Sequence, residues 1–162
     1  MTHDPIIAKL INLFNTQGLD ELKNRYYFGD PIQVNPAELP AVFITKDNTR
    51  IKSASNAQDS HRINLNINVV YNLKDVMSQS LETITGYDKL YDILEGRNDD
   101  CTLKSNSLAG ILRESQDLAS NMFIDLESDL SIDYGIRNQM RGPNLITVEG
   151  IIKTQIIFDQ LV

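Results

Sequence analysis

The chain has 162 residues, 41 % hydrophobic and 23 % charged, with net charge −7. That is enough to bury a core without staples, and one domain spanning 1–162 is expected. No run approaches the ~20 apolar residues of a membrane span, the start MTHDPIIAKL lacks a signal-peptide pattern, and a lone cysteine, Cys101, excludes an internal disulfide framework. The negative balance argues against a surface that grips phosphate backbones, but not against a protein past which DNA slides.

Asp4 before Pro5 is a helix start, a capping carboxylate followed by proline in the first turn. Ile6, Ile7, Leu10, Ile11, Leu13 and Phe14 then recur at helical spacing, which predicts a helix over 5–16 ending near Gly18. Residues 24–40 read as an extended connection with turns at Gly29-Asp30-Pro31 and Asn35-Pro36. In it Tyr26, Tyr27 and Phe28 form an aromatic cluster expected to cover one edge of the core. Ala41 to Lys46 is a strand, Asp47-Asn48 a tight turn, and Thr49 to Lys52 the antiparallel return. The small polar run 53–60, SASNAQDS, reads as a mobile loop.

The strongest pattern is 61–73, HRINLNINVVYNL. Ile63, Leu65, Ile67, Val69, Tyr71 and Leu73 fall on one face of a strand, while Arg62, Asn64, Asn66, Asn68, Val70 and Asn72 fall on the other. At about 3.3 Å per residue the strand is near 43 Å long, beyond the usual range. The asparagine face is either solvated or a neutral surface that meets another subunit. A helix follows over 74–95, with Met77, Leu81, Ile84, Tyr87, Leu90, Tyr91 and Leu94 in its stripe and Gly96 as a left-handed cap. After a loop at 97–106, Leu108 to Leu118 suggest a short helix, which Gly110 weakens.

Two long strands, 122–136 and 145–160, close the chain, and the link 137–144 puts Arg137 and Arg141 at an exposed hairpin tip. The order of elements is that of an α+β fold: a largely antiparallel or mixed sheet with long strands and two main helices packed on one face.

Enzyme signatures are missing. There is no GxxxxGK[ST], GxGxxG or GxSxG run. His3, His61 and Cys101 are too few for a usual zinc site. No catalytic residue, metal or cofactor is expected. One constellation stands out: opposite the apolar row of 122–136 lie Asp125, Glu127, Asp129 and Asp133, a carboxylate ladder on a continuous strand. It reads as a solvated face, as a site for Mg²⁺ or Ca²⁺, or as a negative surface that repels phosphates.

Several segments together resemble the tail terminator (tail completion) proteins of tailed bacteriophages. They are the N-terminal amphipathic helix, YYFGDP, LPAVFI, a long alternating strand ending VVYNLKD, LAGILRE, IDYGI and ITVEGIIKTQIIFDQ. The resemblance spans nearly the whole chain as an ordered pattern, and the asparagine-rich strand and the polar 53–60 run depart from it.

The resemblance implies a structural, non-enzymatic subunit, made in the host cytoplasm and resident in the virion at the head-proximal end of the tail. Such subunits assemble as a hexameric ring, end polymerisation of the tail tube protein and meet the head-side connector, while DNA passes through without specific binding and no membrane is involved. On that expectation Asp125, Glu127, Asp129 and Asp133 line the channel, and Asn64, Asn66, Asn68, Arg137 and Arg141 make subunit or ring contacts. The alternatives are another neck or tail-tube component, or a metal-dependent enzyme built on the four carboxylates.

Overall fold

The structure, a computed structural model, describes residues 4–72 and 86–162, the side chains of 86, 87 and 135–140 excepted. Helix α1, Pro5–Gln17, begins where the sequence places it. The Asp4 carboxylate accepts hydrogen bonds from the backbone N–H groups of Ile6 and Ile7 at 3.0 and 3.2 Å, satisfying two donors that the helix leaves unpaired. Burial opposes the charge on Asp4, but the Lys46 ammonium and these two N–H groups hold its carboxyl below the usual range. One side chain thus starts the helix and ties it to the sheet.

Seven strands form one mixed sheet among the described residues: β1 Tyr26–Phe28, β2 Ala41–Ser55, β3 Gln58–Asn72, β4 Asp117–Ala119, β5 Met122–Ile124, β6 Ser131–Met140 and β7 Ile146–Leu161. The order is β1-β2-β3-β7-β5-β4, with β6 also on β7. Only β1–β2 is parallel. The period-two face is real: Ile63, Leu65, Ile67, Val69 and Tyr71 of β3 are buried with Val148, Ile152 and Ile156 of β7. Leu73 lies outside the described residues, as do Met77, Leu81 and Ile84 of the predicted helix.

Two further helices join this core, α2 Gly86–Glu95 and α3 Leu108–Glu114. Leu90, Ile93 and Leu94 of α2 are buried, whereas Tyr91 is 37 % exposed and stacks on Tyr134. The fit of α2 depends on Gly150 of β7, where a β-carbon would come within 2.4 Å of Leu94 Cδ1. Gly96 is not in the left-handed region expected of it, and the positive φ nearby belongs to Cys101. Ser107 caps α3 by accepting from the Gly110 N–H at 3.1 Å. Gly110 is required rather than tolerated, since a β-carbon there would lie 2.0 Å from the Lys104 carbonyl oxygen.

Three expectations about connections need correction. Asp47-Asn48 is not a turn: β2 runs on through a bulge between Lys46 and Asn48. Residues 53–60 are not a loop, because β2 and β3 continue as a hairpin to Ser55 and Gln58. Ladder hydrogen bonds hold these small polar residues, so they need no buried side chain. The predicted strand 122–136 is broken into β5 and β6, which occupy the same edge of β7 on either side of residues 125–130.

Candidate functional site

The far face of the sheet is partly covered by the chain's own connections. Val34, Leu39, Ala41, Phe43, Val70 and Leu145 form a second, smaller apolar cluster there. At its border sits Arg141, only 4 % exposed and not at an open tip as expected. The chain reverses just after β6, where the Arg141 N–H donates to the Leu145 carbonyl, and the Arg141 carbonyl accepts from the Val34 N–H at 2.8 Å. The turn is therefore folded against residues 30–34. Arg137 lies inside β6, not at a tip, and its side chain is outside the described set.

The Arg141 guanidinium donates four hydrogen bonds. Nε and Nη2 donate to the two Glu149 carboxylate oxygens at 2.8 and 2.5 Å. Nη1 donates to Asp30 Oδ1 at 2.5 Å and to the Pro31 carbonyl at 2.7 Å, and the group lies 5.8 Å from the Phe43 ring centre. Glu149 also accepts from Thr147 Oγ1 at 2.6 Å and from Asn68 Nδ2 at 2.7 Å. Burial alone would raise the Glu149 carboxyl; the hydrogen bonds from Arg141, Thr147 and Asn68 outweigh it and hold the group below the usual carboxylate range. Asn68 is thus part of an internal network, not of a free asparagine face.

The other two asparagines behave differently. Asn64 donates to Asn48 Oδ1 and accepts from Gln155 Nε2, both at 2.8 Å, so three strands share one side-chain row. Asn66 is half-buried beside a small cleft that Asp129 and Lys153 also line.

The carboxylate ladder does not exist. Asp125 accepts from the Glu127 N–H at 3.0 Å, a tight polar turn, and its own N–H donates to the Gln155 carbonyl. Glu127 and Asp129 are exposed on the loop. Asp133 is in β6, 3.9 Å from Lys153. Local bonding of short polar side chains to the backbone outcompetes strand pairing here. Among the described residues no group of three or more His, Cys, Asp or Glu side chains gathers to hold a metal ion.

A cleft of about 420 Å³ lies beside β1, lined by Tyr27, Phe28, Gly29, Asp30, Pro31 and Phe43, among others. Of the aromatic cluster, Tyr26 is buried on Phe14, with ring centres 5.4 Å apart, while Phe28 is 48 % exposed. Four sequence segments thus meet around the Arg141–Glu149 pair: Asp30 comes from YYFGDP, Phe43 from LPAVFI, Asn68 from the alternating strand that ends VVYNLKD and Glu149 from ITVEG. Comparison with protein-family models and with curated proteins finds no match.

Asp30 and Glu149 were not singled out in the sequence. Glu149 had a signal: it is a single carboxylate between Val148 and Gly150 in an apolar strand, eight residues after an arginine across a Gly-Pro turn.

Proposed function

We propose that this chain is the ring-forming terminator of a phage tail tube. It would cap the last ring of the tube, end its polymerisation and present a surface to the head-side connector in the virion, with DNA passing through the ring unbound. The observation that carries the reading is the convergence around Arg141 and Glu149: segments quoted for the resemblance, far apart in sequence, supply Asp30, Phe43, Asn68 and Glu149 to one site. In this reading α1 and α2 form a layer on one face of the sheet, which leaves the other face and the sheet edges for neighbouring copies and rings. The function is one of binding and calls for no catalytic residue. The channel-lining role expected for Asp125, Glu127, Asp129 and Asp133 rested on a ladder, and without that ladder it is not carried forward.

Electron microscopy of the purified protein, alone and with growing tail tubes, tests the reading. A terminator stops at a six-membered ring and, added to growing tubes, shortens them and caps one end. Open stacks formed by the protein alone would favour a tube component, and a monomer that leaves tube growth unchanged would end the proposal.

A further inference from the structure

The sheet carries opposite charge at two open edges. β1 covers β2 only at Val42–Ile44, so from Asp47 to Ser55 the outer edge of β2 is open among the described residues. On the far side β4 ends the sheet, next to β5. One row crosses from edge to edge: Arg50 pairs with Arg62, Arg62 with Ile157, and Ile157 with Phe123.

At the β2 end of that row two guanidinium groups face each other across a strand pair, a destabilising arrangement when nothing neutralises it. Lys52 follows on the same face two residues on. All three side chains are exposed, and among the described residues none is in an ion pair. At the other end Asp117, Asp125 and Glu127 surround a cleft of about 410 Å³ that Phe123, Leu126 and Ile157 also line. Three exposed cations, with Asp47 the one carboxylate on the open stretch of β2, and an acidic, partly apolar recess thus sit on opposite edges of one chain.

We propose that the β2 edge of one copy docks on the β4–β5 edge of the next, with Arg50, Lys52 and Arg62 meeting Asp117, Glu127 and Asp125. A charged edge by itself deters strand pairing. Opposite signs on two edges turn that deterrent into a choice, because like edges repel and unlike edges attract. The two patches differ, so the contact is head-to-tail, the type that closes rings. The inference rests on the ring reading and specifies which surfaces build the ring.

The test is charge reversal in the full chain, read by sedimentation. Two variants, Arg50→Glu with Arg62→Glu and Asp117→Lys with Glu127→Lys, should each melt like wild type yet sediment as monomers where wild type is a ring. Asp125 is left intact because it holds its loop. The variant carrying all four changes should form rings again, as should an equal mixture of the two pair variants. Raising salt from about 0.1 to about 1 M, which shortens the screening length from ~10 to ~3 Å, should dissociate wild-type rings.

If a reversed variant melts early, Arg50→Ala with Arg62→Ala replaces it and should weaken assembly about tenfold or more. Wild-type rings with undiminished rings in the reversed variants would overturn this interface and leave the ring reading standing. A folded four-change variant that stays monomeric would also overturn it. A monomeric wild type would remove the ring reading, and this interface with it.

Discussion

Arg141 and Glu149 meet through two parallel contacts, at 2.8 and 2.5 Å, with both side chains almost wholly shut off from solvent. Such a fork is a strong charge-assisted pair, but its removal from one side only is what costs most. Arg141→Ala leaves a buried carboxylate without its counter-charge and should destabilise the fold by about 3–5 kcal/mol. Replacing both, Arg141→Met with Glu149→Leu, should cost well under the sum of the single changes. Urea unfolding of the four proteins gives the coupling directly, and strict additivity would mean that the pair is not energetically joined.

The same pair sets an acid limit. The folded Glu149 carboxyl lies below its ordinary value of 4.5. Its contribution to stability is therefore complete above about 4.5 and is lost as pH falls through the lower folded value. Asp4 titrates in the same direction, so the measurement is the difference between wild type and Glu149→Gln. The variant should show a shallower loss of stability on acidification below about 4.5, and parallel curves would contradict it.

Gly110→Ala sets two effects against each other. Alanine favours a helix over glycine by about 1 kcal/mol, yet here its methyl group meets a backbone oxygen at 2.0 Å, which cannot rotate away. Overpacking of this kind costs about 1–3 kcal/mol, and the backbone contact puts the expected cost at the upper end. A lower melting temperature is the expected result, and a higher one would show that Lys104 shifts freely.

Ile67 is fully buried between the strands and the helices. Ile67→Asp should unfold the domain, since an unpaired buried carboxylate costs several kcal/mol. Circular dichroism and a thermal melt decide it, and a wild-type melt would contradict the buried face.

The faces of the strands were legible because burial imposes a strict alternation. Met122, Ile124, Leu126, Leu130, Ile132 and Tyr134 all turn toward the core, even though the strand holding them is interrupted. The interruption itself was hidden, since alternation survives a polar excursion that returns to the same edge in the same phase. What gives it away is Asp125-Leu126-Glu127-Ser128-Asp129, where short polar side chains capture nearby backbone groups. The hairpin through 53–60 was missed for the opposite reason. Its residues bury little and have no apolar signal, so ladder bonds to β7 and the neighbouring strand are all that define it. Arg141 was misplaced because a Gly-Pro turn marks a reversal of the chain but not whether the reversal is covered.

β3 and β7 stay in register from Gln58–Leu161 to Asn72–Thr147 without a single slip, whereas the β2 ladder shifts twice, beside Lys46 and again between Ser53 and Ser55. The two strands therefore behave mechanically as one stiff strut, and β2 as a strip with two joints. A pull along the strut, applied at its tip, loads every rung of the ladder together in shear instead of peeling them apart one at a time. The tip can thus bear tension and pass it to the core with little stretch. Sideways force on β2 is taken up at the joints, leaving the strut's alignment undisturbed.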